Sequence, residues 1–339
     1  MIKMADHKSP QQRKPWMLAH LSDPHLACTA RLQLRDLQGK RFKRILGRLR
    51  WHLKRRFRQD ERLLTMLGND LQQTGADHIA ITGDLCHLSL AVEFAAARVW
   101  LEGLGDPAGL SLVLGNHDQY VATEEAQSWG LLLPWLRGDA QQAAEHRPAE
   151  LEVFFPLVQR RGRIVLISLN TARPSALHLA SGSIGTSQLE RLQQILALLQ
   201  GQGLFRIVLL HHPPGQGLLS RRRGLTDGAE LRALLQAYGA ELILCGHSHH
   251  CISSNLPGPS GPIPLLGAPS ITSIEKQLEK RSRYYLIAIH EESPPPAANI
   301  SSSDSNGWTI TVRSRLLAPD GQSFIDGPEP QLFRLIPSR

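Results

Sequence analysis

Dense cysteine, a long apolar run and an apolar stretch near the start are all missing from these 339 residues. The four cysteines, Cys28, Cys86, Cys245 and Cys251, form no Cys-x-x-Cys pair and no framework, so reduced thiols in a cytoplasmic protein are expected. No run of about 18 apolar residues occurs, which excludes a membrane-spanning helix. Residues 1–15 are polar and basic, without the apolar core of a secretory signal, and are expected to form a flexible tail. With 42% hydrophobic and 20% charged residues, global disorder is excluded as well. The length fits one large α/β domain or two small ones; a single domain over residues 16–339 is the expectation.

Charge is present but lopsided. The net charge is +8, yet residues 31–58 alone hold twelve Lys/Arg against one acid, Asp36. That segment carries +11, which leaves −3 for everything else. Its basicity needs a local explanation.

Along the chain one pattern repeats: a short apolar run, then a polar turn bearing His, Asp or Asn. Residues 17–21 run into Ser22-Asp23-Pro24-His25, and 79–82 into Gly83-Asp84. Residues 110–114 run into Gly115-Asn116-His117-Asp118, 207–210 into His211-His212-Pro213-Pro214, and 242–245 into Gly246-His247-Ser248-His249. The runs have the length and β-branched content of buried strands. Helical patterns fill the intervals at 62–74, 89–104, 186–199 and 227–238, with Asp227 a candidate N-cap. Alternating strands and helices predict a layered α/β fold whose strand-end loops gather into one crevice. After Gly261 the runs at 263–266, 283–289 and 308–317 are strand-like without helices between them. Residues 291–306 read as a Pro/Ser-rich surface loop.

The five turns together supply three carboxylates, one amide and several imidazoles. Mixed N and O donors suit first-row divalent ions such as Mn, Fe, Co, Ni or Zn. A single zinc needs three or four ligands, so the surplus argues for two ions sharing a carboxylate. Such a pair, roughly 3.5–4 Å apart, can activate a bridging water and neutralise phosphoryl oxygens. A lone Asp-x-His or Gly-Asp is more often a turn device than a ligand; joint occurrence at successive strand ends reverses that balance.

The motifs Asp-x-His, Gly-Asp, Gly-Asn-His-Asp, His and Gly-His-x-His, in this order over residues 22–249, resemble the calcineurin-like metallophosphoesterase superfamily. That resemblance implies a four-layer α/β/β/α sandwich of two mixed sheets, with the late strands joining the second sheet. It implies a first metal held by Asp23, His25, Asp84 and His249, and a second held by Asp84, Asn116, His211 and His247, with Asp84 bridging. His117 corresponds to the catalytic imidazole, and Asp118 would orient it. Two divalent ions are implied, Mn, Fe or Zn, with manganese favoured.

Neighbouring residues have plainer readings. His212 is expected behind His211 rather than on a metal, and His87 and His250 at the rim or in packing. His20 reads as a satisfied strand residue and Cys245 as a small core residue. Cys28 and Cys86, near metal turns, are expected to make the site sensitive to oxidation but not to ligate.

The basic segment has a helical period, with Phe42, Ile45, Leu46, Leu49, Leu53 and Phe57 on one face and Lys and Arg on the other. Trp51 falls on the basic side. Three readings compete: a helix that packs its apolar stripe on the domain and leaves a solvated basic face, a helix at an anionic membrane surface through residues 40–58, and a nucleic-acid-binding face. Its Lys-Arg-Phe…Leu-Gly…Trp run resembles that of bacterial metallophosphoesterases which include UDP-diacylglucosamine pyrophosphohydrolases. That similarity suits a phosphodiester or pyrophosphate substrate, such as a lipid-linked nucleotide at the cytoplasmic membrane face, cut by a metal-bridging hydroxide. The alternatives are a cyclic nucleotide phosphodiesterase or nuclease, and a non-catalytic metal-binding scaffold.

Overall fold

The computed structural model describes residues 14–26, 32–37, 42–139, 151–292 and 307–335. Most of the N-terminal tail, Cys28 and residues 293–306 of the Pro/Ser-rich loop lie outside the described residues.

The apolar runs become two mixed sheets. In the first, β1 (Trp16–Leu21), β2 (His78–Ile81) and β3 (Leu110–Leu112) are parallel. Beyond β1 this sheet continues with antiparallel β10 (Arg283–Glu291) and β11 (Trp308–Leu317), and β11 pairs with both β12 (Phe324–Asp326) and β13 (Gln331–Leu335). The second sheet runs in the order β4 (Leu157–Arg161), β5 (Ile164–Ser168), β6 (Phe205–Leu209), β7 (Leu242–Cys245), β9 (Ile263–Gly267), β8 (Ile252–Leu256). Its four central strands are parallel and its two edges antiparallel.

Period-two alternation builds the layers. Ile164, Leu166 and Leu209 enter the core shared with the first sheet, while Val165, Val208 and Leu210 enter a separate core. Helices α4 (Thr186–Leu199) and α5 (Gly228–Tyr238) close that separate core with Leu192, Leu196, Leu231 and Leu235. Helices α2 (Arg62–Thr74) and α3 (Ala91–Leu104) bring Leu67, Phe94 and Leu101 to the first sheet. The result is the four-layer α/β/β/α sandwich that the resemblance implied.

Several local expectations need correcting. The late strands do not all join the second sheet: β8 and β9 do, whereas β10 to β13 extend the first beside β1. Asp227 stands at the N-cap position of α5 without capping it. Its carboxylate instead accepts from Ser183 Oγ and from the Ile184 and Gly185 N–H groups ahead of α4.

The largest correction concerns the basic segment. Helix α1 (Lys43–Leu53) docks through the face that carries Lys43, Arg44, Gly47 and Trp51. Lys43 Nζ donates to the carbonyls of Tyr120 (3.2 Å) and Ser175 (3.0 Å) and lies over the Tyr120 ring. Arg44 is buried and donates to the Leu88 and Ser89 carbonyls. A Cβ on Gly47 would come within 2.4 Å of Leu88, so only glycine lets the helix approach this closely. Trp51 packs against Leu88, Leu90, Tyr120 and Val121. The apolar stripe therefore faces outward, with Phe42, Ile45 and Leu49 at least half exposed and Leu53 and Phe57 at 65% and 62%. The reading in which that stripe packs on the domain is overturned, because the Lys43–Arg44–Gly47–Trp51 face has taken the contact.

Candidate metal centre

Five strand exits deliver the polar turns to one crevice. Asp23 and His25 follow β1, Asp84 follows β2, Asn116 follows β3, His211 follows β6, and His247 and His249 follow β7. The turns are tied to one another by backbone bonds, Asp23 N to Gly83 O and His25 N to Asp84 O at 3.0 Å each, and Gly246 N to His211 O at 3.0 Å. Asp23, His25, Asp84, His247 and His249 all have left-handed backbone, with φ from 41° to 64°. Asp and His tolerate that region better than most residues, yet each such residue still costs on the order of 1–3 kcal/mol. Five strained residues on one crevice mark it as built for a purpose other than stability. Close packing enforces the geometry: a Cβ on Gly246 would lie 1.8 Å from Ser22 Oγ.

The donor atoms aim at two points. Asp23, His25, Asp84 and His249 present one group, each ligand atom within 4.8 Å of the others. His25 Nε2 stands 3.7 Å from Asp23 Oδ1, 3.6 Å from Asp84 Oδ2 and 3.2 Å from His249 Nε2. On the other side, His211 Nε2 stands 3.5 Å from Asp84 Oδ2 and 3.2 Å from Asn116 Oδ1. Asp84 Oδ2 thus lies between the two imidazoles, while its Oδ1 accepts the His117 backbone N–H at 2.7 Å. Donor atoms around one ion at 2.0–2.2 Å are themselves about 3–4 Å apart, so these separations fit a pair of cations.

Each imidazole has a defined free nitrogen. His25 Nδ1 is bonded to the Cys86 carbonyl and His211 Nδ1 to the Thr82 carbonyl, which leaves Nε2 of both rings facing the crevice. His247 Nε2 is bonded to the Arg223 carbonyl, leaving Nδ1. His212, although it clusters with His211 and His247, has Nδ1 on Thr171 Oγ1 and Nε2 on the Ala180 carbonyl. No nitrogen of His212 is left for an ion, so it braces the loop behind.

The charges ask for cations. Asp23 and Asp84 are buried, and among the described residues Asp23 Oδ1 meets only imidazoles, His249 Nε2 at 2.9 Å and His25 Nε2 at 3.7 Å. Burial works against a charged His211, but the Asp84 carboxylate outweighs it and lifts the ring to about 9. Burial holds His25 and His247 well below the usual imidazole value, in the neutral form that ligates metal. The buried polar atoms, the neutral imidazoles and the shared carboxylate oxygen fit two divalent ions.

Two expected roles change. Asp118 does not touch the His117 ring; His117 Nδ1 instead bonds to the His87 carbonyl at 2.7 Å. The Asp118 carboxylate accepts the backbone N–H groups of Asp84, Cys86 and Gly115 at 2.8–2.9 Å, which pins two metal turns together. Cys86 is fully buried, and burial pushes its thiol well above the usual value, so it does not make the site oxidation-sensitive. His87 is also buried, stacked on His25 at 4.9 Å, and is no rim residue; His250 is exposed at the mouth. His20 sits inside β1 with Nε2 on Thr82 Oγ1, and Cys245 is core.

Sequence reasoning missed Arg55 and Arg223. Arg55, in the turn just after α1, places Nη1 2.8 Å from His117 Nε2. Arg223 Nη2 donates to the His247 carbonyl at 3.1 Å. Both line the crevice, a cavity of about 370 Å³ that also exposes Asp84, Asn116, His117 and His249.

The comparisons agree with this geometry. A family model described as calcineurin-like phosphoesterase matches residues 17–251. A search of curated proteins finds no match. The fold is similar to that of a dimetal phosphatase from Danio rerio, with a TM-score of 0.58, 11% identity, and 95% of this chain and 100% of that one covered. It is also similar to a purple acid phosphatase from yellow lupin (Lupinus luteus) seeds, with a TM-score of 0.51, 13% identity, and 96% of this chain and 54% of that one covered. The chain thus spans about half the length of the lupin protein. It belongs to the calcineurin-like phosphoesterase family and is a metal-dependent phosphoester hydrolase.

Proposed function

From that membership we propose that the chain hydrolyses a phosphodiester or pyrophosphate bond in a lipid-linked nucleotide at an anionic membrane surface. The observation that carries the catalytic half is Asp84 Oδ2 lying between His25 and His211, with Asp23, His249 and Asn116 beside them. Asp23, His25, Asp84 and His249 would hold one ion, and Asp84, Asn116, His211 and His247 the other, with manganese the favoured metal. Such ions, when bound, activate water near neutral pH and neutralise phosphoryl oxygens.

The chain's own groups do the rest. His117 donates Nδ1–H to the His87 carbonyl, so Nε2 faces the crevice, where it can meet a phosphoryl oxygen or hold the proton that the leaving oxygen needs. Asp118, holding three N–H groups of the metal turns, keeps Asp84 and the turn carrying Asn116 in register. Burial of the ligands excludes water from all but the mouth, which strengthens every charge contact inside.

The substrate half rests on α1. An outward apolar stripe with Arg and Lys at its flanks, beside the crevice mouth, has the form of a helix that lies in a lipid interface. Among the described residues no helix is long and apolar enough to cross a membrane, so a surface helix is the form available to it.

The test is a substrate screen on purified, Mn-loaded protein with an Asp84→Ala control. It compares an aryl phosphodiester, a cyclic nucleotide and a UDP-diacylglucosamine-type lipid. Preferential cleavage of the lipid pyrophosphate supports the whole reading. Cleavage of the soluble diesters alone moves the protein to the nucleotide phosphodiesterases and removes the membrane half. No metal-dependent cleavage of any of the three overturns both.

A further inference from the structure

Beside the metal crevice lies a second cavity, of about 180 Å³, roofed by α1. Its walls include Arg50 and Trp51 of α1, Arg55, Tyr120, His178 and Arg223, and among the described residues no acidic one lines it. The two cavities meet at Arg55, Asn116, His117, Ala180 and Arg223, all of which line both. A group seated over Asn116 and His117 would therefore have its neighbouring substituent directed under the helix. Lys43 is already committed to the Tyr120 and Ser175 carbonyls, so the cations left to meet a ligand are Arg50, Arg55 and Arg223.

Arg55 occupies the junction. Its guanidinium contacts His117 Nε2 at 2.8 Å, an imidazole nitrogen that can only accept, because Nδ1 donates to His87. Among the described residues that neutral ring is its one hydrogen-bond partner, which leaves most of a five-donor guanidinium fork unused at a point where phosphate oxygens would arrive. The crevice charges are complementary: the Asp and His turns suit cations that would take the scissile phosphate, and the acid-free cavity suits a second anion one bond further along.

We propose that Arg55, supplied by the insertion, binds the phosphate adjacent to the scissile one, and that Arg50 and Arg223 complete an anion pocket selecting substrates with two linked phosphates. This rests on the dinuclear reading of the crevice and deepens it. Arg55 exchanges His117 for the incoming phosphate, which frees His117 Nε2 for the reacting group. Trp51 and Tyr120 give the far side of the pocket aromatic faces for whatever the second phosphate carries.

The experiment is calorimetric titration of UDP and UMP into the Mn-loaded full-length chain. One phosphate of either nucleotide suffices for the metals, and only UDP has a second for Arg55. Wild-type protein should bind UDP roughly 10- to 100-fold more tightly than UMP, the range of a charge-assisted contact. In Arg55→Met that ratio should fall to within about threefold of unity, with Arg55→Lys intermediate because it keeps the charge and loses the fork. Arg50→Met, a change at an exposed position, should lower the ratio less. Equal binding of UDP and UMP by wild-type protein, or an unchanged ratio in Arg55→Met or Arg50→Met, overturns the proposal. Aryl phosphodiester turnover by the wild-type chain is measured alongside. Its absence would count against the catalytic reading, while the titration still decides the role of Arg55.

Discussion

The metal crevice and helix α1 both invert the usual order of burial, and they do so for different reasons. In the crevice Asp23, Asp84, His25 and His211 are buried, and each is met by backbone groups, a neighbouring turn or a partner ligand. On α1 Lys43 and Arg44 are buried and capped by carbonyls, while Phe42, Ile45, Leu49, Leu53 and Phe57 stand in solvent. Buried charge in the first region is compensated within the chain except at the points where cations fit. Exposed apolar surface in the second has no counterpart among the described residues. The first region fits ions, and the second would be covered by the membrane surface proposed above.

The comparison breaks most severely at the bridging position. Asp84→Ala or Asn116→Ala should lower kcat on an aryl phosphodiester by at least about a thousandfold, since each would remove a proposed metal ligand. Steady-state kinetics at saturating Mn checks this, and retained turnover in both variants would sink the assignment of the crevice.

Next in size is Asp118→Ala. It leaves three buried N–H groups without an acceptor, at about 1–3 kcal/mol each, so the chain should lose several kcal/mol in denaturant unfolding. A variant of unchanged stability and unchanged metal affinity would mean the two turns hold together without it.

The helix separates the readings more finely. Phe42→Ser, Leu49→Ser and Leu53→Ser combined should weaken binding to anionic vesicles about a hundredfold, from roughly 1 kcal/mol per half-exposed apolar side chain. The same triple variant should change stability by no more than about 0.5 kcal/mol per site, because these side chains stand at least half in solvent and belong to no core cluster among the described residues. A loss of several kcal/mol in unfolding would show that the stripe is buried after all. By contrast, Gly47→Val pushes into Leu88 and Tyr120 and should cost about 1–3 kcal/mol in unfolding, with looser vesicle binding as the helix lifts. An unaffected melting curve would contradict the docking described for α1.

How much of this was legible in the sequence follows the same division. The turns carrying Asp23, His25, Asp84, Asn116, His211, His247 and His249 are legible because each follows a strand, and parallel strands deliver their ends to one edge, while the choice of these side chains as ligands came from the family resemblance. Spacing alone could not say which way Asp118 turns. The family resemblance implies Asp118 on the His117 ring, but the tight turn aims it back at Gly115 and Asp84. The β4–β5 hairpin escapes the motif pattern because its Arg161-Gly162-Arg163 turn carries no His, Asp or Asn. Arg55 was hidden among twelve like charges, and only the docking of α1 singles it out. A signal for that docking did exist: Lys43, Gly47 and Trp51 recur every fourth residue, a face with a glycine where a neighbour comes close. Amphipathic period identifies two faces; it does not say which one the fold will cover.

The measurement that bears most directly on the central claim is the metal content of the purified chain against that of Asp84→Asn, counted by elemental analysis after loading and desalting. The account predicts about two divalent ions per wild-type chain, and fewer than one in Asp84→Asn because both positions share that carboxylate. A single ion retained equally by both proteins would contradict a dinuclear centre bridged by Asp84.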